Sequence, residues 1–83
     1  MRALEISNLL QIGATDRVRK YLKKLSLKDR LPVLQECIPY VNATKGTLDF
    51  FHKNFAKEIG AIIAADHDFE KAEKLYRMSK EIG

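Results

Sequence analysis

Residues 47–82 read TLDFFHKNFAKEIGAIIAADHDFEKAEKLYRMSKEI, and the spacing of apolar residues in this stretch decides the fold class. Leu48, Phe51, Phe55, Ile59, Ile62 and Ile63 recur at steps of mostly three and four, the period that gathers side chains on one face of a helix. Phe69, Ala72, Leu75, Tyr76 and Ile82 repeat the pattern after Asp66-His67-Asp68. So short a break permits only a reversal, and the two helices are expected to pack antiparallel. Thr47 is expected to cap the first of them and Asp68 the second, each through a side-chain oxygen that accepts an unpaired N–H of the first turn. Glu70 with Lys74, and Glu73 with Arg77, stand in the favourable i,i+4 order and mark the solvent face of the second helix. Phe50 falls off the main stripe and is expected at the surface.

Upstream of this hairpin, residues 39–46 (PYVNATKG) cluster Pro, Asn, Thr and Gly and form the clearest break in the chain. The first 39 residues hold three more helical patterns. One spans residues 2–12, with Ile6, Leu9, Leu10 and Ile12 inward, and Gly13 suits the left-handed position that ends a helix. A second spans residues 16–25, capped by Thr15 or Asp16, with Val18, Tyr21, Leu22 and Leu25 inward. A third would start at Ser26 by capping-box spacing, but Pro32 would then sit too deep. A start near Asp29 is therefore expected, with Leu31, Leu34 and Ile38 inward, Cys37 beside them and Pro39 ending the helix. The fold class is all-α: one domain of residues 1–83, about five short helices, a basic three-helix part (1–39) and the helical hairpin (47–82).

Composition limits the function. The chain has 83 residues, of which 46% are hydrophobic and 31% charged, as a single globular domain has. Its single cysteine, Cys37, excludes an intramolecular disulfide and favours a reducing, cytoplasmic setting. The opening MRALEISNLLQIG scatters polar residues among apolar ones, so no secretory leader is expected. The longest apolar run, residues 59–65, falls far short of the roughly 20 residues that span a bilayer. Net charge is +4, and all of the excess lies in the first half. Residues 1–39 hold eight Lys/Arg against four Asp/Glu, whereas residues 40–83 hold seven against seven. Seven of the eight cations fall in residues 16–30.

Catalytic chemistry has little to draw on. His52 and His67 are the only histidines, no phosphate-cradling glycine loop or nucleophile motif occurs, and Asp66-His67-Asp68 are too close together to surround one metal ion. Neither a catalytic residue, a metal, a cofactor nor a small-molecule substrate is expected.

FAKEIGAIIAADHDFEKAEKLYRMSKEI, residues 55–82, resembles a single tetratricopeptide repeat. The residues that carry the resemblance are Ile59 followed by the small Gly60, Ala72 twelve positions after Gly60, the Asp68-Phe69 pair at the turn, and Tyr76 four positions after Ala72. The resemblance implies hairpin geometry in which Gly60 and Ala72 let the helices approach closely, and a family role in binding protein segments. This sequence has Ala56 where the family has a bulky aromatic and His67 where it has a turn glycine, and no second copy lies one period upstream.

EISNLL, a turn and TDRVRKYLKKL, within residues 5–25, resemble a helix-turn-helix, whose second helix enters the major groove of DNA. That resemblance implies Arg17, Arg19, Lys20, Lys23 and Lys24 as nucleic-acid contacts. Two functions therefore stand open. One is a non-enzymatic protein-interaction module (adaptor, inhibitor or small regulatory subunit) using Phe50, Lys53, Asn54 and Lys57, with a protein partner or self-association. The other is a small basic DNA- or RNA-binding protein using the helix of residues 16–25.

Overall fold

A computed structural model describes residues 1–82, with side chains through Lys80. Ile82, expected inward, has its side chain outside the described residues. Five α-helices follow in order: α1 Ala3–Gln11, α2 Thr15–Lys24, α3 Leu27–Cys37, α4 Lys45–Ala64 and α5 Phe69–Ile82, with a 3-10 turn at Ile38–Tyr40 between α3 and α4. Among the described residues there is no strand, and the chain is all-α. α3 lies at the centre, packed on α1, α4 and α5, while α4 and α5 form the hairpin and α2 lies against α1.

Local chemistry explains each boundary. Gly13, at φ +86°, ends α1, and its N–H donates to the Leu10 carbonyl (3.1 Å) while that of Ala14 donates to Leu9 (2.9 Å). This is the Schellman closure, in which two orphan carbonyls are satisfied by a reversal that glycine enters without strain. The same reversal starts α2 sooner than expected. Its cap residue is Ala14, which has no side-chain cap, and Thr15 and Asp16 already lie in the first turn, so neither of them caps.

Two further helices start earlier than expected. Ser26 does cap α3, its Oγ accepting from the Asp29 N–H at 3.3 Å, and Pro32 is accommodated inside the helix. Proline removes the donor to the Lys28 carbonyl, but Lys28 is exposed, so water can serve that oxygen. α4 likewise begins ahead of Thr47. Thr44 is its cap, accepting the Thr47 N–H at 3.0 Å, and Thr47 is fully buried with its hydroxyl 2.9 Å from that of Thr44.

α4 is kinked. Phe55 has φ −135° and ψ 21° inside the helix, and the Asn54 side-chain amide donates to the Phe50 carbonyl at 2.9 Å. A side chain that enters the backbone ladder is a recognised cause of kinking. The inward face of α4 differs from the expected stripe. Phe50, Phe51 and Phe55 are all buried, followed by Glu58, Ala61, Ile62 and Ala65, whereas Leu48 is 42% exposed and Ile63 60% exposed. The inward assignment of Leu48 and Ile63, and the outward one of Phe50, are thereby reversed. Ile12, also expected inward, is 78% exposed. The remaining inward sets hold: Ile6 and Leu10 from α1, Val18 and Leu22 from α2, Leu31, Leu34 and Cys37 from α3, and Ala72 and Tyr76 from α5 are buried, with Leu9, Tyr21, Leu25, Ile38, Ile59, Phe69 and Leu75 partly so.

The hairpin turn is a second Schellman closure. The Asp66 N–H donates to Ile63 (3.1 Å) and that of His67 to Ile62 (3.0 Å), and Asp68 caps α5 by accepting from Glu70 (3.1 Å) and Lys71 (3.2 Å). Gly60 plays no part in the close approach of α4 and α5, because a Cβ built there would meet nothing within 4 Å. The small residues that the two helices bury are Ala61, Ala65 and Ala72, at 7%, 3% and 0% exposure. Asp66 and His67 both lie in the left-handed region, at φ 52° and 66°. A side chain costs about 1–2 kcal/mol there, and aspartate tolerates the region better than histidine does. His67→Gly is therefore expected to stabilise the fold by about 1 kcal/mol, measured as a higher urea midpoint with an unchanged slope.

Candidate functional site

On α2, Val18 and Leu22 are fully buried, one helical turn apart, and this turns the cationic side chains outward. Arg17, Lys20, Lys23 and Lys24 are exposed, and the half-buried Arg19 is tied to Asp16 by a salt bridge within the helix. With Tyr21 these residues surround a shallow depression of about 550 Å³.

The run of cations in residues 16–30 is nonetheless not one patch. Lys28 borders a different depression, beside Glu70 and Glu73. Arg30 is turned inward: its Nε donates to the Leu22 carbonyl (2.9 Å), its Nη2 to those of Leu25 (2.9 Å) and Lys23 (3.5 Å), and its Nη1 to Glu58 Oε2 (3.3 Å). The guanidinium thus serves the carbonyls of Lys23 and Leu25, adds a second donor to that of Leu22, which also accepts from the Leu25 N–H (3.3 Å), and places a positive charge at the negative end of that helix. The two side chains are only 16% and 7% exposed, so this pair ties α2 and α3 to α4 in the interior.

Above the pair, between the end of α2, the kinked middle of α4 and α5, opens a cleft of about 560 Å³. Lys23, His52, Lys53, Lys57 and Lys80 border it, and among the described residues the one carboxylate on its wall is Glu58, already held by Arg30. Seven consecutive residues of α4, residues 52–58, line the opening; a straight helix would turn several of them away. Tyr76 forms part of the wall, with the Lys80 ammonium 5.3 Å from its ring centroid, an arrangement that holds the lysine in place by cation–π attraction.

Of the residues assigned from sequence to a partner surface, Lys53, Asn54 and Lys57 lie together on this cleft. Phe50 does not join them. It is 5% exposed, packed edge-on against Phe51 (5.3 Å between centroids) and tilted against Phe55 (5.9 Å). Lys23 borders both depressions, so the cations of α2 run into those of α4 and α5. Lys80 was missed in the sequence, and nothing local could have found it, since only the hairpin brings residue 80 beside residue 53. Glu58 did carry a signal: a carboxylate between Phe55 and Ile62 on a buried arc requires a cation, and Arg30 is that cation.

Reactive groups are sparse. Among the described residues no three His, Cys, Asp or Glu side chains gather where they could hold a metal ion. Cys37 is buried at 1% exposure, and burial, aided by the charge of Glu36, pushes its thiol from 9.0 up to about 12, so it stays protonated and unreactive at neutral pH. Among the described residues no helix is long and apolar enough to cross a membrane. No family model, no curated protein and no solved structure matches the chain.

Proposed function

We propose that this chain is a non-enzymatic binding module whose α2–α4–α5 face grips the phosphate backbone of a nucleic acid. The observation that carries the reading is the position of Lys23 in the walls of both basic depressions. It makes Arg17, Lys20, Lys23 and Lys24 of α2 continuous with Lys53 and Lys57 of α4 and Lys80 of α5. Cations within a Debye length of one another, about 10 Å at 0.1 M salt, act on one polyanion together. The face offers little for reading bases. The Asn54 amide is occupied by the Phe50 carbonyl, Arg19 is held by Asp16, and Tyr76 is buried. Binding is therefore expected to be set by phosphates and to vary little with sequence.

Fluorescence anisotropy with arbitrary-sequence duplex and single-stranded oligonucleotides tests this. Affinity is expected to fall linearly on a log–log plot against salt, as counterions are released. Lys53→Ala, Lys57→Ala and Lys20→Ala should each weaken binding to all sequences about equally and lower the salt slope by about 1. A flat titration at low salt sinks the reading. Equal binding of poly-glutamate would assign the face to an acidic protein and overturn it as well.

A further inference from the structure

The outward face of α4 carries a second feature, which the cations do not explain. Leu48 and Ile63 are 42% and 60% exposed. Between them Ala56 and Gly60 are exposed, and Ile59 is half-buried. Together with Val41, Phe51 and the exposed His52 they line a groove of about 230 Å³. Isolated exposed apolar residues are ordinary. These recur at helical spacing along about 23 Å of one helix, which is the pattern of a packing face.

We propose that this face is covered by a second copy of the chain, α4 against α4 and antiparallel, about a two-fold axis near Ala56. The pattern is self-complementary, as a two-fold interface must be. Leu48 lies eight positions before Ala56 and Ile63 seven after it, so antiparallel pairing sets the Leu48 of each copy against the Ile63 of the other. At the centre stand the small Ala56 and Gly60, and the space beside the Gly60 Cα is open, which lets two helix backbones approach.

Charge selects the direction. Lys45 opens α4 and Asp66 follows its end. Both are exposed, and neither takes part in an ion pair among the described residues. Antiparallel pairing places Lys45 opposite the second copy's Asp66, twice, whereas parallel pairing would set like charges side by side. Lys53 and Lys57 flank the stripe along one edge, so the pairing also brings the two basic clefts to a shared seam. Each copy carries a net charge of +4, and the resulting repulsion is screened by salt. The inference does not rest on the nucleic-acid reading, because no lysine or arginine lines the groove.

Sedimentation equilibrium of the full chain at high salt, from micromolar to millimolar concentration, gives the first test. The mass should rise from that of one chain, 9.5 kDa, to that of two. Ile63→Asp should weaken association by roughly 100-fold or more, since it would bury an unpaired carboxylate, and should leave the helical circular dichroism unchanged. Lys45→Glu and Asp66→Lys should each weaken association, and the two together should restore it, a recovery that a partner other than this chain would not give. Ala56→Cys should form a disulfide-linked dimer on mild oxidation, while buried Cys37 stays silent. Asn42→Cys, exposed in the loop before α4, should not. A wild-type mass that stays at one chain into the millimolar range overturns the inference, as does Ile63→Asp associating as tightly as wild type.

Discussion

Arg30→Ala is expected to cost about 3–5 kcal/mol of folding stability, the usual penalty for removing one partner of a buried ion pair. Three losses coincide. Glu58, with its side chain 7% exposed, loses the cation it is paired with. The Leu25 carbonyl loses the guanidinium donor at 2.9 Å, and that of Leu22, also bonded at 2.9 Å, keeps only the Leu25 N–H at 3.3 Å. The aliphatic stem of Arg30 also leaves the junction of α2, α3 and α4. A domain of this size has a total stability of only about 4–12 kcal/mol, so the variant is expected to be partly or wholly unfolded near body temperature. Urea unfolding followed by circular dichroism measures the loss. Replacing both partners by apolar residues of similar length, Arg30→Met with Glu58→Met, should recover much of it, because the stranded charge has then gone. A cost below about 1 kcal/mol for Arg30→Ala would mean that water reaches the pair and that it behaves as an ordinary surface contact.

The same pair shows where reading the sequence stops. As one cation among seven in residues 16–30, Arg30 cannot be distinguished from Lys24 or Lys28 by spacing, and only the arrival of α4 turns it inward. What depends on neighbours in sequence was legible: the five helices, the left-handed Gly13, the Asp68 cap and the inward pairs of α2 and α3. What depends on distant contacts was not. Lys23 and Lys80 are brought beside Lys53 by tertiary packing alone. The Thr44 and Thr47 hydroxyls both fit a cap, and the burial of Thr47 decides between them. The close approach that the resemblance to a tetratricopeptide repeat implied for Gly60 is not made there, since a Cβ at that position would meet nothing within 4 Å.

Phe50→Ala tests which face of α4 is buried. If the stripe from Leu48 to Ile63 faced the core, Phe50 would point to solvent, and its removal would cost almost nothing while impairing binding. In the structure the ring is 5% exposed and rests against Phe51 and Phe55. Truncation is then expected to cost about 3–5 kcal/mol, through lost transfer energy and the cavity left in a core too small to close over it. Leu48→Ala and Ile63→Ala, on the face a regular stripe would have buried, should change monomer stability by less than about 0.5 kcal/mol. This ordering of three apolar truncations on one helix is hard to obtain by chance, and denaturation at a dilution that keeps the chain monomeric reads it directly. A stable, well-folded Phe50→Ala protein would return the ring to the surface beside Lys53, and the inward face of α4 would have to be assigned again. If instead Phe50→Ala unfolds while Lys53→Ala and Lys57→Ala fold normally, any loss of binding in the phenylalanine variant reports the core, and the lysines alone report the contact.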